Sequence, residues 1–343
     1  MTQEDVLAKA HGCLLGGLIG DAMGTPTENM EPAAIREKFG WVDDFSGDGT
    51  DDSILKYLLC DALIATDGYA TADDWAAAWL SQRSMITGPK QNRFFVSVKQ
   101  TLTKLSAGYL PREASIGNLA SSSSAMSIAP VGIVNAGHPR AAAAQAQELG
   151  SLIHTGDVAF CQDGAAAIAA AVAAGFAGDA TLDTVLAAAV RYLKPISGAE
   201  VRELIEEALS LAQSTGDYEA FRSAYHERFR RPIACDTRET VPATLALCSL
   251  ANGDPRLAIV YGANFGRDTD TIATMAGAIC GALRGVDGLP ERWVAKIMQN
   301  SFGDQAQLAA KLVAVAQHKA AAESAAWAKM WERAAPGNRE NLL

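Results

Sequence analysis

Residues 266–283 constrain the fold more than any other stretch. They read Gly266-Arg267-Asp268-Thr269-Asp270-Thr271, then Ile272-Ala273-Thr274-Met275-Ala276-Gly277-Ala278-Ile279-Cys280-Gly281-Ala282-Leu283. The second part is apolar on nearly every face, the pattern of a helix buried all round. Gly277, Gly281 and Gly285 recur every four residues, a bare stripe along which another backbone can approach closely. The chain must therefore place this helix inside, with Asp268 and Asp270 at its N-terminal end. Asp and Thr at that position ordinarily cap free backbone N–H groups. A cap needs one acceptor, and this segment brings four oxygen-bearing side chains to the mouth of a buried element.

The rest of the chain predicts helix following helix. Alanine-rich runs such as 165–174 favour helix, and no useful Val/Ile/Thr alternation predicts strands. Amphipathic spacing marks helices from Glu4 to Ile19, from Ile54 to Leu63, over 71–86 and over 93–106. Later ones cover 141–152, 181–193, 199–212, 243–250 and two segments of the C-terminal part. Trp75 and Trp79, one turn apart, read as core anchors. No repeat or domain boundary is visible in the 343 residues, so the expectation is one all-α domain over 1–343, an orthogonal helical bundle with a helical extension over 290–335. On that extension Trp327, Met330 and Trp331 share a face, which would pack on the body or against a second copy; the oligomeric state stays open.

Composition removes several classes of function. A formal net charge of −10 argues against gripping nucleic acid, which needs a basic surface. Six scattered cysteines with no CxxC pair read as reduced thiols, neither a disulfide framework nor a zinc site. There is no basic region followed by an apolar core at the N-terminus, and the apolar runs near 165–178 and 272–283 are too short to span a bilayer. A cytoplasmic location without membrane contact is expected.

Two more acidic clusters resemble the first. Gly20-Asp21-Ala22-Met23-Gly24-Thr25-Pro26-Thr27-Glu28 carries Asp21 and Glu28 where Gly24 and Pro26 should turn the chain into a loop. Thr50-Asp51-Asp52-Ser53 opens the helix after a glycine-rich segment. An EF-hand reading of 44–55 fails, because the bidentate Glu of position 12 would be Leu55. Clustered carboxylates repel one another unless a cation binds among them, and oxygen ligands without His or Cys favour hard ions. Two ions bridged by a shared carboxylate would fit. Ser121-Ser122-Ser123-Ser124 ahead of Met126 is a hydroxyl-rich loop suited to a ribose or phosphate contact. His154 marks a helix junction.

The ordered set resembles the ADP-ribosylglycohydrolases, including the dinitrogenase-reductase-activating glycohydrolases. The resemblance rests on the segments at 20–28, 50–53 and 268–273. Weaker matches are Met126 to Pro130, Leu152-Ile153-His154 and Glu239-Thr240-Val241-Pro242, and together they span about residues 8 to 285. It implies a helical fold with two divalent cations, Mg²⁺ or Mn²⁺, with Ca²⁺ as a third hard ion the oxygens admit. The implied ligands are Thr50, Asp51, Asp52, Asp268, Asp270 and Thr271, and Glu28 would act beside them as a ligand or as the base orienting water. The catalytic carboxylates would be Glu28, Asp51 and Asp268. The expected substrate contacts are Asp21, Ser122, Ser123, Ser124, Met126, His154 and Arg267. The implied reaction is hydrolysis of the ribosyl C1″ bond of an ADP-ribose conjugate, small or protein-linked. The competing readings are a hydrolase of a smaller ribosyl compound or free nucleoside, and a non-catalytic ADP-ribose- and metal-binding protein.

Two departures bear on substrate. Many family members carry Gly-Asn-Gly before the Met and an Arg after it, where this chain has Ser122-Ser123-Ser124-Ala125-Met126-Ser127. Many carry Gly-Gly before Asp-x-Asp, where this chain has Gly266-Arg267. The second change places a cation where it would pair with an acidic ligand or meet a substrate phosphate.

Overall fold

The computed structural model describes residues 2–299 and 301–334. Position 300, the last residue of the expected 290–335 extension, the terminal methionine and residues 336–343 lie outside the described residues. The described residues form helices and short 3-10 turns, with no strand among them, as expected.

Eight helices set the site: α1 (Gln3–Gly24), α2 (Asp51–Ala65), α3 (Ser123–Ser127), α4 (Phe160–Gly175), α5 (Thr237–Leu250), α6 (Pro255–Ala263), α7 (Thr269–Arg284) and α8 (Gln305–Ala334). The predicted interior helix is α7, buried from Thr269 to Leu283. Its closest partner is α1, which runs antiparallel to it, and the reason is glycine on both sides. A Cβ on Gly16 would lie 2.2 Å from the carbonyl oxygen of Gly277, and one on Gly281 2.1 Å from that of Gly12. Backbone therefore lies on backbone along the interface. The glycines of α1 are the half of this contact that the sequence reading passed over. Gly285 ends α7 at φ +78° and differs from the other two: a Cβ on Gly12 would lie 2.5 Å from its backbone, but a Cβ on Gly285 itself would meet Ala8 only at ordinary contact distance.

α1 also runs further than predicted. It continues past Ile19 and ends at Gly24, as the glycine and Pro26 require, so Asp21 stands on the helix and not in the loop. A Cβ on Gly24 would lie 2.4 Å from the backbone of Asp270, so the end of α1 seats directly on the acidic start of α7.

The remaining core fills in around this pair. Trp75 and Trp79 are fully buried and meet edge to face with centroids 5.5 Å apart. All six cysteines are free. Residues 156–175 are, against expectation, long and apolar enough to cross a membrane by length and composition, yet 83% of that stretch is buried inside the protein. Trp327, Met330 and Trp331 on the distal part of α8 are exposed and do not pack on the body.

Candidate active site and metal centre

The first turn of α2 carries Asp51 and Asp52, and a residue from another helix caps it. Asp21 of α1 accepts hydrogen bonds from Thr50 N (2.8 Å), Thr50 Oγ1 (2.7 Å), Ser53 N (3.0 Å) and Ser53 Oγ (2.6 Å). Gly49 leaves room for this carboxylate, since a Cβ there would lie 2.6 Å from Asp21 Oδ2. With capping supplied from outside, Asp51 and Asp52 are free to face inward. The start of α7 behaves the same way. Asp268 occupies the N-cap position without a side-chain capping bond and instead accepts from Ser122 Oγ at 3.1 Å. Asp268 therefore does not play the expected capping role, while Asp270 Oδ1 accepts from Thr271 N at 3.0 Å within the first turn.

Carboxylates from the three segments converge. Oxygens of Asp21, Asp52 and Asp270 lie within 4.8 Å of one another, as do those of Glu28, Asp268 and Asp270. Asp270 belongs to both groups. Glu28 follows a 3-10 turn held by Thr27, whose hydroxyl donates to Ala263 O at 2.7 Å. The next residues are clamped to the chain ahead of α7 by Asn29 N to Arg267 O (2.6 Å) and Arg267 N to Met30 O (2.8 Å). The Glu28 oxygens accept from Asn29 Nδ2 (3.0 Å) and Arg93 Nη1 (2.7 Å).

Burial sets the electrostatics. It pushes the carboxyls of Asp51, Asp52 and Asp270 well above the usual range, and neighbouring carboxylates push them further. Asp268 rises to about 7 through burial and the charge of Glu28. One oxygen of Asp52, Oδ1, is buried without a hydrogen-bond partner. Such a cluster must hold protons or a cation. An all-oxygen donor set with an unpartnered buried atom and a carboxylate common to two groups fits a pair of hard divalent ions. Lys56, one turn along α2 from Asp52, is also buried with its ammonium unpartnered. It lies beside Gly17, where a Cβ would come within 3.3 Å of its Nζ.

The acids line one side of a cavity of about 320 Å³. Glu28, Asp51, Asp52, Asp268, Asp270 and Thr271 reach it, as do Ser122, Ser123 and Met126. Four of the expected substrate contacts do not. Asp21 is fully buried beneath α2 as its cap. His154 is fully buried, with Ser121 Oγ at 3.0 Å from Nε2 and Ser124 Oγ at 3.0 Å from Nδ1. Burial holds its pKa down at about 3, so the ring is neutral at neutral pH and braces the serine loop from behind. Ser124 is spent on that contact. Arg267 turns away to Glu239, pairing through Nε with Oε1 and through Nη2 with Oε2 (3.0 Å), and donating to Arg231 O at 2.6 Å. It meets neither an acid of the cluster nor the cavity, so the cation expected at the site serves a buried structural pair. Its φ of +65° is a left-handed conformation that suits glycine, consistent with the Gly-Gly that many relatives carry there. Thr50 stays at the acid cluster, with its hydroxyl donating to Asp21.

Two walls of the cavity were not found from sequence. One is Asn92-Arg93-Phe94-Phe95-Val96, just before the helix that starts at Val96; the other is Ile233-Ala234-Cys235, tied to the serine loop by Ser122 N to Cys235 O (2.6 Å). The 93–106 stretch reads as continuous helix, and nothing in its spacing separates Arg93 from any helix-start arginine.

Residues 2–322 match the family described as ADP-ribosylglycohydrolase. An uncharacterized protein of Escherichia coli (strain K12), YegU, is 27% identical over 315 residues, covering 81% of this chain and 88% of that protein. The ADP-ribosylarginine hydrolase Tri1 of Pseudomonas putida (strain GB-1) is 29% identical over 318 residues, covering 87% of this chain and 76% of that protein. A solved structure described as an ADP-ribosylglycohydrolase-related protein complex superposes with a TM-score of 0.68 at 19% identity, over 91% of this chain and 99% of that one. This last likeness is one of fold.

Proposed function

This chain belongs to the ADP-ribosylglycohydrolase family and is a glycosidic hydrolase, and on that premise we propose that it hydrolyses the N-glycosidic bond at C1″ of ADP-ribose conjugates with two divalent cations, Mg²⁺ or Mn²⁺. The observation that carries this reading is the pair of carboxylate groups sharing Asp270, set against a cavity beside Glu28. Asp51, Asp52, Asp268 and Asp270, with the hydroxyls of Thr50 and Thr271, would hold the ions. When bound, the ions would anchor the ribose hydroxyls and a water and would offset the charge of the cluster.

The side chains supply the rest. Glu28, which lines the cavity beside the cluster, would take the proton of the attacking water on a carboxylate oxygen. Attack forms the O–C1″ bond, the C1″–N bond breaks, and a proton passes to the departing nitrogen. The negative field of Asp51 and Asp268 stabilises the positive charge that develops at C1″. Ser122 fixes Asp268, and the buried walls at Phe94 and Met126 limit water on that side.

The test is incubation of the Mg²⁺- or Mn²⁺-loaded protein with ADP-ribosyl-arginine and with a panel of nucleosides. Release of ADP-ribose that stops in excess chelator and returns on adding metal is the expected result. Release of free base with no action on any ADP-ribosyl bond overturns the proposal in favour of a nucleoside hydrolase, and full activity in chelator overturns the metal role.

A further inference from the structure

The cavity is asymmetric in charge. Among the described residues five carboxylates line it, Glu28, Asp51, Asp52, Asp268 and Asp270, against a single cationic side chain, Arg93. Two divalent ions would offset four of those charges and Arg93 the fifth, leaving no surplus of positive charge to draw in an anion. A diphosphate entering this cavity needs a positive group of its own, and Arg267, the candidate the sequence offers, is committed to Glu239.

Arg93 has the right disposition. Its side chain is 43% exposed, and its recorded hydrogen bond is the one from Nη1 to Glu28 Oε2. A guanidinium carries five N–H donors in a planar fork that matches phosphate oxygens, so most of its capacity is unspent. Asn92 and half-buried Phe95 flank it on the same wall. Serines that also line the cavity stand in place of the glycine-containing loop of many relatives, with Ser122 already bonded to Asp268.

We infer that Arg93 is a specificity-determining residue that binds the substrate's diphosphate, with Glu28 as the counter-ion it gives up on binding. The inference rests on the proposed action on ADP-ribose conjugates for its choice of ligand. It adds a consequence: the anionic part of the substrate releases Glu28 from its ion pair as it binds, so that the base becomes free in the substrate complex. A neutral nucleoside has no group to make that exchange.

Calorimetric titration of the metal-loaded protein with ADP-ribose and with adenosine tests this, using wild type, Arg93→Ala, Arg93→Lys, Glu28→Gln and the double variant. Arg93→Ala should weaken ADP-ribose by about tenfold or more, the scale of a lost charge-assisted contact. Adenosine should change less than about twofold on the same scale. Arg93→Lys should recover part of the loss, since it restores charge without the fork. Glu28→Gln should tighten ADP-ribose when Arg93 is present and not when it is absent. The inference is overturned if Arg93→Ala weakens both ligands alike, which marks a residue that only supports the wall, or changes neither. The exchange is overturned if the effect of Glu28→Gln is the same with and without Arg93. The two readings fail separately. ADP-ribose binding that depends on Arg93, in a protein that cleaves no ADP-ribosyl bond, overturns the activity and keeps the inference. Cleavage of ADP-ribosyl-arginine with ADP-ribose binding indifferent to Arg93 does the reverse.

Discussion

The starts of α2 and α7 carry similar sequences, Thr50-Asp51-Asp52 and Asp268-Thr269-Asp270-Thr271, and are held in place by different forces. α2 is held by a polar device: one buried carboxylate, Asp21, takes four hydrogen bonds from Thr50 and Ser53. α7 is held chiefly by bare backbone packing, with Gly24 against Asp270 and Gly16 against Gly277, and Thr269 Oγ1 donating to Gly24 O at 3.0 Å. The same helix α1 supplies both supports. A polar support can be weakened by degrees, whereas a backbone contact at this distance admits no side chain at all. The two halves of one acid cluster should therefore fail differently.

The largest effect should come from the packing half. Gly16→Val would place a Cβ 2.2 Å from a backbone oxygen that cannot move aside. The expected outcome is loss of cooperative folding, or destabilisation beyond about 4 kcal/mol, the range reserved for severe overpacking. Gly17→Ala is the control one residue on, since its Cβ would meet the end of the Lys56 side chain at 3.3 Å and Ala278 Cβ and Thr274 O at an ordinary 3.6 Å. It should stay within about 1 kcal/mol of wild type, helped by alanine's helix propensity. Urea unfolding of both variants checks the pair, and similar midpoints would show that the α1–α7 contact is not the constraint it is taken to be.

The polar half should give an intermediate effect. Asp21→Ala leaves the N–H groups of Thr50 and Ser53 without their acceptor, at a cost of about 2–4 kcal/mol for a lost cap with buried unsatisfied donors. Measured with saturating Mg²⁺, the variant should fold, melt lower and bind the ion more weakly, because Asp51 and Asp52 lose their fixed positions. Unchanged metal affinity in a folded Asp21→Ala protein would separate the cap from the site.

Much of this was legible in the sequence and some was not, for identifiable reasons. The helical class, the buried α7 and the three acidic segments follow from periodicity and local residue types. The partner of the α7 stripe did not, because Gly12, Gly16, Gly20 and Gly24 read as ordinary small residues until two helices are brought together. Asp21 and His154 were placed at the substrate as members of the matching segments, and Arg267 as the residue just ahead of one. Asp21 lies in the last turn of α1, His154 and Arg267 lie between helices, and all three are buried against partners inside the protein. Arg93 carried no signal, since its role depends on a carboxylate 65 residues away in sequence.

The smallest expected effect compares the protein with its own protonation. Asp51, Asp52, Asp268 and Asp270 have folded pKa values above the unfolded range, with Asp268 at about 7. A carboxyl raised in this way binds its proton more tightly in the folded state, so its contribution is present below the unfolded pKa, about 4, and is lost as pH rises through the folded value. Metal-free protein should then be more stable near pH 5 than near pH 8, by a melting shift of a few degrees. Bound Mg²⁺ should reverse the trend, because protons compete with the ion for the same oxygens. Asp270→Asn removes one of the repelling charges at the point common to both groups. In excess chelator at pH 8 it should melt slightly above wild type, and on adding Mg²⁺ it should gain little where wild type gains in proportion to ion binding. Calorimetric melts at the two pH values, with and without the ion, decide the matter. An Asp270→Asn protein that is less stable than wild type in chelator would mean that Asp270 supports the fold of α7, and that the division between a packed helix start and its clustered acids does not hold there.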